Sequence, residues 1–198
     1  MATRSIQTRR LFSISLTSTS ECRTASALRR TIPNSSASLR RVTSFSLSPR
    51  YLQILLQEGY KPRETHSLKS LKTIFSAGSP LKAELYVFIR NDIKDVFINN
   101  GSGGTDVCAA FIGANPILPI YAGVIQCPML GIKLECFDDA GKPVKEGEEG
   151  DLVISAPFPN LPLAFLGDDE KGTKLKSTYF THYPDQTVWY QADYSELR

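Results

Sequence analysis

Apolar residues first fall into a regular pattern at Ser48. Leu52, Leu55 and Leu56 share one helical face with Tyr51 beside it, Ser48 stands at the N-cap, Pro49 takes the first helical position, and Gly59 closes the far end. Burying each leucine is worth about 1.5–3 kcal/mol, so this helix must dock on something. Lys72 to Ala77 predicts a strand centred on Ile74 and Phe75 and ending at Gly78-Ser79-Pro80. Leu81 to Ile93 returns to helical spacing through Leu85, Phe88 and Ile89, and Val96-Phe97-Ile98 is a short unbroken apolar run suited to burial on both faces. Strand, helix and strand at these lengths make a βαβ unit and predict a parallel sheet.

The pattern changes after Ile112. Pro116, Pro119 and Pro128 exclude a long helix, Gly131 to Phe137 predicts a strand, and Asp138-Asp139-Ala140-Gly141 predicts a turn. Asp151 to Ser155 predicts a further strand, and Val188-Trp189-Tyr190 another that ends near Asp193. The expected fold is α/β: a βαβ parallel-sheet part followed by a smaller, mostly antiparallel β subdomain. No internal repeat is visible.

Composition divides the chain at the same place. Through Arg50 there are nine arginines, no lysine and one acid, Glu21, a net +8; against the whole-chain value of +3, the remainder carries −5. The boundary is set at 1–47, a basic serine- and arginine-rich segment expected to lack structure because it cannot bury enough apolar area, and 48–198, the patterned body. Three readings of the basic segment stay open: a mitochondrial presequence, a misread region preceding the coding body, or a basic arm that neutralises nucleic-acid phosphates. The last lacks interleaved aromatic residues.

Cys22, Cys108, Cys127 and Cys136 form no CxxC pair, and neither His66 nor His182 stands at a metal-ligand spacing from them. No apolar run reaches the ~18 residues that cross a bilayer.

The chemistry-bearing stretch is Asn99-Asn100-Gly101-Ser102-Gly103-Gly104-Thr105-Asp106. It follows the buried strand and so falls at a carboxyl end, where open α/β sheets place ligands. Gly101, Gly103 and Gly104 free the backbone to approach a ligand and turn N–H groups toward an anion. Thr105 adds a hydroxyl for a phosphate oxygen, and Asp106 a hard oxygen that Mg²⁺ can use beside it. The plain alternative is a glycine-rich turn with Asp106 capping a following helix. Gly78-Ser79-Pro80 closes the preceding strand at the same expected edge, unless it is an ordinary strand-to-helix turn. Asp193 follows Trp189-Tyr190 and can accept hydrogen bonds from two ribose hydroxyls, unless it is a turn residue.

Taken in order, Thr73 through Leu81, Gly101 through Asp106, Gly150-Asp151-Leu152-Val153-Ile154 and Trp189 through Asp193 resemble the adenylate-forming enzymes, and within them the acetoacetate–CoA ligases. The resemblance covers about three quarters of the chain, and its specific part is the Ser102-Gly103-Gly104-Thr105-Asp106 run. It implies a partial large domain of that fold. It also implies that ATP or AMP is bound by Gly78, Ser79 and Pro80 at adenine, by Thr105 at the α-phosphate and by Asp193 at the ribose, with Gly103 and Gly104 among the nucleotide-binding residues. Asp106 would help hold Mg²⁺, with CoA and a short acid as the other small-molecule partners and neither nucleic acid nor membrane among them. Where acetyl-CoA synthetases carry a tryptophan that limits the acyl pocket, this chain has Gly103, which implies room for acetoacetate.

The implied reaction is attack of a carboxylate on the α-phosphorus of ATP, then thioester formation. The family's phosphate loop has no counterpart between Met1 and Arg50, its lysine-bearing C-terminal domain has none before Arg198, and Ala192 stands where the family usually has glycine. The expectation is therefore a central fragment with negligible ligase activity alone, or else a non-catalytic adenylate-binding remnant or partner of a full-length ligase. Its expected location is the cytoplasm, or the mitochondrion if the first segment is a presequence.

Overall fold

The computed structural model describes residues 42–197 and the backbone of Ile6–Arg9. The presequence, misread-region and basic-arm readings concern positions that otherwise lie outside the described residues. The described elements are β1 (Ile6–Arg9), β2 (Ser44–Leu47), α1 (Pro49–Gln57), α2 (Pro62–Thr65), β3 (Thr73–Ser76), α3 (Ala83–Phe88), β4 (Phe97–Asn100), β5 (Ser102–Gly104), β6 (Ala109–Gly113), β7 (Cys127–Pro128), β8 (Leu134–Phe137), β9 (Glu149–Ile154), α4 (Thr173–Tyr179) and β10 (Trp189–Leu197). They fall into two compact units, one within 42–99 and one comprising 6–9 with 100–197.

The first unit is α/β. Its three-stranded sheet has the order β2-β3-β4, and β2 runs parallel to β3 with Ser44 opposite Thr73 and Leu47 opposite Ser76. Strand β2 corrects the sequence boundary: Ser44-Phe45-Ser46-Leu47 falls within the segment expected to lack structure, yet its backbone pairs fully with β3. Helix α1 forms as its caps predict, the Ser48 hydroxyl accepting from the Tyr51 amide at 3.3 Å, Gly59 taking φ +60°, and Leu52 and Leu55 facing inward. Helix α3 does not run to Ile93 in α form. It continues as one π turn, Ile89–Ile93, closed by the Lys94 amide on the Ile89 carbonyl at 2.8 Å. Leu85, Phe88, Ile89 and Ile93 are all buried, so the wider turn keeps the apolar face inward. Just past it, the Lys94 ammonium donates to the carbonyls of Leu68, Lys69 and Leu71 at 2.8, 2.9 and 2.7 Å, satisfying three backbone oxygens of a loop with no ladder of its own.

The second unit is almost wholly antiparallel. One sheet has the order β5-β6-β7 and the other β1-β10-β9-β8. Val107, Phe111, Ile112, Ile125, Cys136, Leu152, Ile154, Phe158, Leu175 and Trp189 form its buried core. Two features depart from the sequence reading. The glycine-rich stretch leads into no helix: it is the strand β5 of a tight hairpin with β6, and Gly103 faces Ala110. Strand β10 does not end near Asp193 but runs on to Leu197, with a bulge between Tyr190 and Tyr194, since Tyr190 pairs with Val153 and Tyr194 with Asp151. Ala192 lies in that bulge at φ +60°.

Candidate functional site

Gly78, Ser79 and Pro80 belong to the first unit, where they are exposed between β3 and α3. The remaining singled-out residues lie in the second unit.

Thr105 and Asp106 are exposed on the four-residue turn between β5 and β6. The turn is held on both sides. On one side the Tyr179 hydroxyl, from the end of α4, donates to Asp106 Oδ2. Burial first, and the adjoining Asp106 carboxylate second, push the Tyr179 phenol up to about 12. On the other side Gln191 packs so close to Gly104 that a Cβ there would meet its amide at 3.2 Å.

Both supports rest on Trp189. Tyr179 stacks on the indole with ring centres 3.7 Å apart and planes 15° apart, and the indole N–H donates to Gln191 Oε1 at 2.9 Å. Phe158 and Phe180 meet the same indole edge-on, each with ring centres 5.7 Å away. Helix α4 is anchored in turn by Asp168, which accepts from the amides of Lys174 and Leu175, and by Asp169, which accepts from the amide and hydroxyl of Thr173. The sequence reading missed α4 and Tyr179. The available signal was the Asp168-Asp169 pair six and five residues ahead of Lys174, a capping arrangement longer than the usual N-cap spacing.

Gly103 is not an open position. A Cβ on it would lie 2.1 Å from the Ala109 carbonyl oxygen and 2.5 Å from the Ala110 Cα. The space beside Gly103 is filled by the backbone of β6, so the acyl-pocket role read from its small size does not follow from this geometry. Glycine is required here for the hairpin to close.

Asp193 is also placed differently. The bulge turns its carboxyl inward, where it is fully buried, and the Ser102 hydroxyl donates to Oδ2 at 3.3 Å. A ribose cannot reach an enclosed carboxyl without displacing that structure. Thus β5 carries one end of each arrangement: Ser102 at Asp193, and the turn after Gly104 at Asp106.

A second cluster surrounds Asp151. Tyr183 donates to its Oδ2 at 3.0 Å, His182 Nε2 stands 3.4 Å from the same oxygen, and His182 stacks on Tyr190 with ring centres 3.8 Å apart. Burial and then Asp151 raise the Tyr183 phenol well above the ordinary tyrosine range. The same hydroxyl shares its proton with the Asp138 carbonyl at 3.1 Å, which ties the turn after β8 to Asp151 on β9.

Among the described residues no group of three or more His, Cys, Asp or Glu side chains could hold a metal ion. Asp106 is a single exposed carboxylate. That donor set fits Mg²⁺ only as Mg²⁺ is commonly held beside nucleotides, through one carboxylate together with phosphate oxygens and water.

The sequence pattern of the AMP-binding enzymes matches residues 28–160. The acetoacetyl-CoA synthetase of Gallus gallus is 40% identical over 157 residues, 79% of this chain and 23% of its own length. The acetoacetyl-coenzyme A synthetase of Rhizobium meliloti is 38% identical over 161 residues, 81% of this chain and 24% of its own. Among solved structures, acetoacetyl-CoA synthetase from Streptomyces lividans superposes with a TM-score of 0.69 at 30% identity, over 80% of this chain and 26% of that one. The chain spans about a quarter of the length of the curated relatives it matches.

Proposed function

The chain belongs to the family of AMP-binding enzymes, and from that premise we propose that it carries nucleotide-contacting parts of an ATP-dependent acid–CoA ligase whose acid is acetoacetate. The observation that carries this reading is the 40% identity to acetoacetyl-CoA synthetase across 79% of the chain. The choice of acetoacetate rests on those relatives and not on Gly103.

In the proposed reaction an acetoacetate oxygen attacks the α-phosphorus of ATP and diphosphate leaves. The thiol of CoA then attacks the acyl carbon of the mixed anhydride, and AMP departs. Thr105 donates its hydroxyl to an α-phosphate oxygen, and Asp106 would hold Mg²⁺, which when bound would supply positive charge to offset that developing at the phosphate. Both side chains are exposed on a turn fixed from two sides, which supports the assignment, since transfer at phosphorus depends on placement more than on a protein nucleophile. Gly78, Ser79 and Pro80 offer exposed backbone and one hydroxyl of the kind that an adenine edge uses. Asp193 has no ribose role in this reading; its enclosed carboxyl shapes the bulge in β10.

Calorimetry on the purified chain tests the proposal, using non-hydrolysable acetoacetyl- and acetyl-adenylate analogues. Binding that favours the acetoacetyl form and weakens at least tenfold in Thr105→Ala is expected. Binding of neither analogue overturns the nucleotide role, and equal binding of both overturns acetoacetate as the acid.

A further inference from the structure

We propose that Tyr179 is a positioning residue for Asp106, aiming its carboxylate by occupying one of the two oxygens. This deepens the reading of Asp106 as the side chain that holds Mg²⁺ beside a phosphate, and rests on it. An aspartate on an exposed turn ordinarily samples several rotamers. Here the Tyr179 hydroxyl engages Oδ2, which orients Oδ1 away from the phenol.

The phenol itself has little freedom. It is stacked on Trp189 at 3.7 Å and meets Phe165 edge-on at 6.1 Å, and it ends a helix whose first turn is anchored by Asp168 and Asp169. The same indole holds Gln191 against Gly104 at the other side of the turn. One buried ring therefore fixes both the backbone that enters the turn and the carboxylate that leaves it.

Packing alone does not account for the hydroxyl. A phenylalanine would keep the stack, and a hydrogen bond to an exposed carboxylate adds little net stability. What the hydroxyl adds is direction. Groups that orient a metal-holding carboxylate typically change affinity by about 10–100-fold when removed.

Trp189 is the sole tryptophan of the chain, so its emission reports on this stack. Mg²⁺ is titrated into the full chain at saturating AMP and followed by calorimetry and by Trp189 emission, in the wild type, Tyr179→Phe and Asp106→Asn. The expected result is a Mg²⁺ response in the wild type, its loss in Asp106→Asn, and a midpoint about 10–100-fold higher in Tyr179→Phe. A wild-type response that Asp106→Asn abolishes and Tyr179→Phe leaves at the same midpoint overturns the role of Tyr179 alone. No Mg²⁺ response in the wild type overturns the reading of Asp106 and this proposal with it.

Discussion

Asp106 and Asp193 belong to the same unit, and each accepts a hydroxyl, yet they serve opposite ends. Asp106 is exposed on a turn and takes its hydrogen bond from a phenol stacked on an indole. Asp193 is fully buried in a bulge and takes its hydrogen bond from Ser102. Backbone geometry makes the difference. In the β5–β6 hairpin the extra residue lies on β6, beside a Gly103 that leaves no room for a side chain, and Asp106 follows on the exposed turn, whereas β10 itself accommodates extra residues and turns one inward. A carboxylate near a ligand motif is thus available to a ligand only where the backbone leaves it on an exposed turn and does not fold it into the sheet.

The sharpest way to break this contrast is to loosen the tight strand. Gly103→Ala places a Cβ inside the Ala109 carbonyl and should lower unfolding stability by about 3 kcal/mol in urea. A loss under about 0.5 kcal/mol would mean that the hairpin does not close as described. Next in size, Ser102→Ala takes from the buried carboxyl the hydroxyl that donates to it, and should cost about 1–2 kcal/mol by the same measurement. Ala192→Gly acts in the other direction. Left-handed backbone costs a non-glycine residue about 1–2 kcal/mol, and part of that gain is offset by the greater freedom of glycine in the unfolded chain. A rise of about 0.5–1 kcal/mol is expected, and a fall would place Ala192 outside the left-handed region.

The smallest effect separates the two holders by pH. Tyr179 titrates and Ser102 does not. Because the folded state raises the phenol to about 12, first by burial and then through Asp106, its contribution is complete below its ordinary value of 10.0 and is lost as pH rises through about 12. The difference in urea midpoint between wild type and Tyr179→Phe should therefore shrink across that window, while the difference for Ser102→Ala stays constant. A Tyr179→Phe difference that does not change with pH would remove the phenol as a holder of Asp106.

Sequence pattern found the first unit well, because caps and periodicity there act locally. Ser48, Pro49 and Gly59 bound α1 as expected, and Ile74 and Ile98 mark buried strands. Strand β2 escaped because its two apolar residues, Phe45 and Leu47, sit among serines that also fill the unpatterned segment before it. The hairpin escaped for another reason. Ser102-Gly103-Gly104 has no alternation of side chains to read, and what makes it a strand is the close approach of β6. The residue types at Thr105 and Asp106 were legible, but the inward turn of Asp193 was not, since it depends on a register between β9 and β10 that no local window contains. Tyr179 was hidden because its importance lies in contacts with residues ten positions later and 14 and 73 positions earlier.

The grip of Lys94 on its loop bears on how the chain meets a protease. Trypsin must draw the carbonyl oxygen of the scissile bond into its own oxyanion hole, and the loop before β3 offers two sites for it, after Lys69 and after Lys72. The Lys69 oxygen is already taken by the Lys94 ammonium, and the Lys72 oxygen accepts the Phe97 amide at 3.2 Å. Two lysines that look like open cleavage points in the sequence are closed by their own carbonyls, and limited digestion should cut there only after this unit has unfolded.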